Sequence, residues 1–325
     1  LRCIVLKLDV LDKKILGALS RDPRKHFSAI AREVRSSKEV VNYRVKRLIS
    51  NGVIRSFVTS FDFGYHSYKV LLHFEKITRK DEQALIAFLE KHDLVTWVTP
   101  CFGHWDLAFV IMAKNPAHFD VVLREIISKT GEYFHDYKFS ITIGTKTYGD
   151  NYFFGRSNSV REKKVSHDHV LDLDDKDRAI ARLIHPNVRI KLSEISAKTK
   201  IPIDTVNYRI KKMEELGVIK YYRMILDPIS QGFQRFSVFI SCSNLSDSVI
   251  KKFEEYANQH SNIAFYGRCV GGWDVEYTVY FNENSELRSF LLDLKSEFAG
   301  VVKKVESITL LRTTTYSYKP SEIYE

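Results

Sequence analysis

The segment VNYRVKRLISNGVI, Val41 to Ile54, returns almost unchanged as VNYRIKKMEELGVI, Val206 to Ile219. Its polar side chains are of types that read or grip a polyanion. An Asn amide can pair with the edge of adenine, and Lys and Arg with guanine or phosphate. Val41, Val45 and Leu48 recur at i, i+4 and i+7, the spacing of an inward helix stripe. That leaves Lys38, Asn42, Tyr43, Lys46 and Arg47 facing outward. Ser37, just ahead of the stripe, could meet phosphate at a helix N-terminus, where backbone N–H groups and the dipole favour an anion. Arg55 follows at the start of a strand-like run. The second segment presents Asp204, Thr205, Asn207, Tyr208, Lys211 and Lys212 in the same manner, with Lys220 and Arg223 beyond. Arg44 and Arg209 suit either a contact or a brace for the fold, and Tyr43 and Tyr208 either a contact or packing on a neighbouring helix. Taken alone, these positions read first as the solvated face of an amphipathic helix, as most Lys-rich helix faces are.

The elements that must position these residues are themselves repeated. At an offset of 165 residues, Leu8-Asp9 aligns with Leu173-Asp174, Asp12 with Asp177, and Gly52-Val53-Ile54 with Gly217-Val218-Ile219. Further on, CFGHWDLAFVIMA (Cys101 to Ala113) aligns with CVGGWDVEYTVYF (Cys269 to Phe281) at an offset of 168. The chain is two copies of one unit. In the first copy, Leu8 to Asp62 predicts three helices and a short hairpin. Asp9 precedes a helix with Ile15, Leu16 and Leu19 on one face, Ser28 can cap a second helix and Ser37 a third, and Asn51-Gly52 ends the third. From Tyr68 to Tyr148 the pattern changes to strand, helix, two strands around Gly103, helix opened by Pro116, and strand, the βαββαβ plan. The fold class is therefore α+β: two winged helix-turn-helix segments, each followed by a ferredoxin-like βαββαβ domain. Boundaries fall at 8–62 and 66–149 in the first copy and at 173–228 and 233–318 in the second, with 150–172 as a polar linker.

The phrases LDVLDKKIL, VVNYRVKRLISNGVI and GHWDLAFV, with LDDKDRAIA, TVNYRIKKMEELGVI and GGWDVEYTV in the second copy, resemble the leucine-responsive (Lrp/AsnC, feast/famine) regulator family. The resemblance covers nearly the whole chain twice, as in a tandem-duplicated form of a protein that commonly carries one unit and dimerises through its βαββαβ domains. It implies double-stranded DNA as partner and a homo-oligomer, a dimer or larger. It also implies a small effector, typically an amino acid, near Gly103, His104, Trp105 and Asp106 and near Gly271, Gly272, Trp273 and Asp274. There Gly would permit close backbone approach and Asp would receive an ammonium. The same residues also describe a tight hairpin turn with a core Trp and an Asp that caps a backbone group. The copies part just before the shared phrase, where Ser37-Lys38-Glu39 becomes Pro202-Ile203-Asp204. Two unequal DNA-reading heads are the expectation.

Charge supports the same partner independently. The net charge is +10. Residues 9–62 hold twelve Lys/Arg against six Asp/Glu and residues 174–227 twelve against eight, so these two segments carry all of it. Cys3, Cys101, Cys242 and Cys269 have no metal spacing and fit free thiols in a reducing cytoplasm. The opening LRCIVLKLD is too short for a secretory signal. The longest apolar run, Leu107 to Ala113, is far short of the roughly 20 residues of a membrane span. His167-Asp168-His169 lacks a third metal ligand, and phosphate-binding and nucleophile motifs are missing. No cofactor, metal or catalytic residue is expected. Two alternatives stay open. One is a fused enzyme of the same superfamily that decarboxylates siroheme, though its His-rich motif is not evident and only the first copy has His104. The other is an architectural DNA-binding protein.

Overall fold

The computed structural model describes residues 6–154, 161–164, 173–311, 313 and 315–316. The first copy contains α1 (Val10–Arg21), α2 (Phe27–Glu33), α3 (Lys38–Ser50), β1 (Ile54–Phe61), β2 (His66–Phe74), α4 (Arg79–Lys91), β3 (Val95–Phe102), β4 (Leu107–Ala113), α5 (Pro116–Ser128) and β5 (Phe134–Thr147). A turn of helix α6 (Asn151–Phe154) and a strand β6 (Arg161–Lys164) follow. The second copy contains α7 (Asp175–Ile184), α8 (Leu192–Thr199), α9 (Ile203–Glu215), β7 (Ile219–Leu226), β8 (Gln234–Cys242), α10 (Asp247–Gln259), β9 (Ile263–Gly271), β10 (Val275–Phe281), α11 (Asn284–Glu297), β11 (Val302–Leu310) and β12 (Thr315–Tyr316).

Local chemistry sets most helix starts. Asp9 and Asp12 form a reciprocal capping box on α1, Ser37 accepts from the Val40 N–H on α3, and Asp174 accepts from the Asp177 N–H on α7. The expectation that Ser28 caps α2 is corrected: His26 stands at that N-cap, and Ser28 lies inside the helix. Part of the stretch expected as linker is ordered. Tyr152 of α6 stacks on Tyr280 at 4.0 Å between ring centroids, and β6 pairs with β5. His167, Asp168 and His169 lie outside the described residues.

The chain forms two compact units, and they do not follow the repeat. Unit 1 gathers the helix-turn-helix segments of both copies, and unit 2 gathers both βαββαβ segments. In unit 1 the predicted hairpins are replaced by a shared ribbon. Each copy supplies one strand, and β1 pairs antiparallel with β7, Val58 opposite Arg223. Phe57 to Phe61 are all buried, and Phe61 packs among Ile180, Ile184 and Val206 of the second copy. Contacts across the copies come in twins. The Asp62 N–H donates to Val218 O at 2.8 Å and the Asp227 N–H to Val53 O at 3.0 Å. Arg24 lies over the Tyr222 ring, and Arg189 over the equivalent Phe57. One contact has no twin: the Thr59 Oγ1 donates to Ile184 O at 2.7 Å, and Met224 stands in the equivalent place.

In unit 2 the strand order is β11-β8-β10-β9-β5-β2-β4-β3, and β3 pairs back to β11 and to β12, closing the sheet on itself. The seam between β5 and β9 runs from Ser140↔Gly271 to Thr147↔Phe265. The seam between β11 and β3 is short, Thr309↔Phe102 and Leu310↔Cys101, and β12 extends it. One core is shared by both copies and includes Leu71, Trp105, Phe239, Trp273 and Ile308. Burial raises the Cys269 thiol strongly and takes Cys101 up to about 12. With Cys242 these are free cysteines. No described helix is long and apolar enough to cross a membrane.

Candidate nucleic-acid interface and effector loops

Helices α3 and α9 carry the residues singled out by the sequence. Val41, Val45 and Leu48 are buried beneath α3, as are Val206, Ile210 and Met213 beneath α9. Lys38 and Lys46 are exposed and Asn42 half-buried; Asp204, Asn207, Lys211 and Lys212 are exposed and Thr205 half-buried. Tyr43 and Tyr208 are 66% and 65% exposed, so their rings are not packed on a neighbouring helix. Two large rings held in water at matching places make room for a flat or polar partner.

The arginines behave differently. Arg44 donates through Nη1 to Asp9 at 2.6 Å and to Asp12 at 3.0 Å, and Arg47 through Nη2 to Asp12 at 2.5 Å. Asp12 is fully buried, so both guanidinium groups compensate a desolvated carboxylate. Arg209 repeats the arrangement on Asp174 at 2.7 Å and on Asp177 at 2.9 Å. The Asp12 backbone N–H and then Arg44 hold the Asp9 carboxyl below its ordinary range, and Asp9 followed by Asp12 raises Arg44 in turn. Arg44 and Arg209 thus brace α3 and α9 against the helices ahead of them. The signal was present in the sequence: Asp9, Asp12 and Arg44 recur together, 165 residues on, as Asp174, Asp177 and Arg209. Lys212, in the place of Arg47, stays exposed.

Ser37 is exposed and caps α3 through its Oγ, whereas Pro202 at the start of α9 offers no side-chain cap. Beyond the helices, Arg55 is exposed on β1 and Arg223 half-buried on β7, both on the shared ribbon. Lys220 lies 3.3 Å from the Asp62 carboxylate.

The two loops of unit 2 take the form of tight turns. Trp105 and Trp273 are buried. The Asp106 carboxylate accepts from the Phe74 N–H at 2.8 Å and lies 2.9 Å from His73 Nδ1; the Asp274 carboxylate accepts from the Cys242 N–H at 2.8 Å. Gly103 and Gly271 both hold positive φ, which a side chain would strain. Their surroundings are unequal. A Cβ at Gly271 would stand 2.9 Å from Phe139 O, and one at Gly272 2.7 Å from Lys138 Cγ, whereas at Gly103 the nearest atom is 3.7 Å away. The exposed His104 replaces Gly272 and brings two residues the sequence had not marked. Its ring stacks on His73 at 5.5 Å, and His135 meets His73 edge-on at 5.2 Å. His73 and His135 lie far from His104 in sequence; the pairing of β2 with β5 joins His73 to His135, and that of β2 with β4 brings the His104 loop beside them. Among the described residues, no group of three or more His, Cys, Asp or Glu side chains converges to hold a metal ion.

Comparison with known proteins adds the following. A family model described as winged helix-turn-helix DNA-binding matches residues 8–55 and again 173–220. An uncharacterised HTH-type transcriptional regulator of Pyrococcus horikoshii is 28% identical over 154 residues, 47% of this chain and 96% of the relative. The HTH-type transcriptional regulator FL11 of the same organism is 30% identical over 135 residues, 40% of this chain and 83% of the relative. Over nearly the full length, the chain is similar in fold to the siroheme decarboxylase NirDL, with a TM-score of 0.64, 14% identity and coverage of 95% of this chain and 94% of that one.

Proposed function

The chain belongs to the Lrp/AsnC family of HTH-type regulators, and from that membership we propose that it is a sequence-specific, DNA-binding transcription regulator with two unequal DNA-reading heads. The observation that carries this reading is the matched exposure of Tyr43/Lys46 and Tyr208/Lys211, beside Asn42 and Asn207, on helices whose arginine braces are duplicated. Inequality is supported by three local differences: a Ser37 cap against Pro202, a clamped Arg47 against an exposed Lys212, and Lys38 against Ile203. In this reading Ser37, Lys38, Asn42, Tyr43, Lys46 and Arg55 serve one half-site. Asp204, Thr205, Asn207, Tyr208, Lys211, Lys212 and Arg223 serve the other. Arg44, Arg47, Arg209 and Lys220 act by holding position. Footprinting and mobility shifts test it. Asn42→Ala/Lys46→Ala should erase one half-site and Asn207→Ala/Lys211→Ala the other; equal loss of the same half-site from both overturns it.

The same reading puts the protein in the cytoplasm and has it associate through its βαββαβ domains. A small effector of the amino-acid class belongs beside Gly103–Asp106 rather than Gly271–Asp274, because the second loop is filled by Lys138 and Phe139. Calorimetry against the amino acids tests this, and absence of heat from all of them removes the effector.

A second reading, an enzyme acting on siroheme, has one observation in its favour: His73, His104 and His135 gather beside the first loop. Siroheme added to the protein should give no shifted absorption spectrum if the regulator reading holds, and a stable coloured complex would reverse the order.

A further inference from the structure

The closed sheet of unit 2 carries a charge pair on one side of its internal symmetry and not on the other. The equivalence of the copies is fixed by the loops: Asp106 caps Phe74 and Asp274 caps Cys242, both related by 168 residues. By the same offset Lys69 corresponds to Ser237, and Ala108 to Glu276. Lys69 on β2 and Glu276 on β10 are 8% and 2% exposed and form an ion pair across the two copies. The Ser237 Oγ donates to Glu276 at 3.0 Å, and the Lys69 ammonium lies 4.8 Å over the Trp97 ring. At the mirror position stand Ala108 and Ser237, which carry no charge.

A symmetric pair of two first copies would bury two Lys69 side chains against two Ala108 methyls. Two second copies would bury two Glu276 carboxylates with only Ser237 beside them. A buried charge without its counter-ion is among the costliest defects a core can hold. Shape adds to charge. In a pair of first copies His104 would occupy the place of Gly272, where even a Cβ falls 2.7 Å from Lys138 Cγ and 3.0 Å from Phe139 O.

We infer that the Lys69–Glu276 pair, with the Gly272 notch, is an identity code. It directs a first copy onto a second copy and closes the sheet to symmetric pairing between like copies of two chains. The inference concerns assembly and does not rest on what the heads bind.

Full-length variants test it. Ser237→Lys/Glu276→Ala gives both copies the first charge pattern; Lys69→Ser/Ala108→Glu gives both the second. Each should melt at least about 5 °C below the native chain, as expected for loss of a buried counter-ion in a protein of this size. All four substitutions together move the pair to the mirror position and should restore more than half of the loss. A smaller drop in either double variant, or recovery of less than half in the quadruple variant, overturns the code. A second measurement reads the pairing directly. Carbodiimide should join Lys138 to Glu306 and Lys146 to Glu254, pairs 2.6 Å apart across the copies. Both links should form in the native chain; their loss would overturn the code, because two first copies set Lys138 against Lys138 and two second copies Glu306 against Glu306.

Discussion

Arg44 shows how one residue type serves two purposes at the same helical spacing. Its guanidinium points to Asp9 and Asp12 rather than into solvent, while Tyr43 beside it stands free in water. Arg44→Ala should therefore reduce stability by about 1.5–3 kcal/mol, the range for a hydrogen bond to a charged group, as read by chemical denaturation. Tyr43→Ala should change stability by less than about 0.5 kcal/mol, as exposed substitutions do, yet weaken DNA binding in mobility shifts. Proton linkage gives a further check. Asp9 has a folded pKa below its ordinary 3.8, so its contribution is intact above 3.8 and is lost as pH falls through the lowered value. Asp9→Ala should flatten that part of the acid limb of unfolding followed by circular dichroism.

At the scale of elements, the helices were legible because their periodicity and caps are local. Ser37, Asp9 and Asp174 mark helix starts that need only the next few residues. The wing was not legible. A strand-like run after α3 says that a strand forms, but register and partner depend on residues some 165 positions away, and β1 found β7 instead of a hairpin of its own. The loops were half legible: Gly103 and Gly271 announced a turn, but the density around each depends on β11 and β5. Gly272→Ala should cost about 1–3 kcal/mol in thermal unfolding, the range for overpacking, because Lys138 and the Phe139 carbonyl already fill the space. Thr59→Val should cost about 1–3 kcal/mol by leaving Ile184 O without its donor, and hydrogen exchange should rise at β1 and β7.

For the whole molecule, the charge of +10 sits in the two helix-turn-helix segments, so DNA affinity should fall steeply with salt. Lys46→Ala or Lys211→Ala should each lower the magnitude of the log–log salt slope by about 1, as loss of one phosphate contact does. An unchanged slope would remove that residue from the interface. The sequence by itself determined the duplication, the order of elements apart from the wings and the linker stretch, the family and the segments that carry charge. All of these are read from neighbours along the chain or from direct comparison of two stretches. Tertiary structure decided which copy pairs with which. It sorted like segments into common units, turned Arg44 and Arg209 inward, gathered three histidines beside the first loop, and set Lys69 against Glu276. Those outcomes depend on contacts between distant strands and on which charges lose water together, quantities that no local pattern carries.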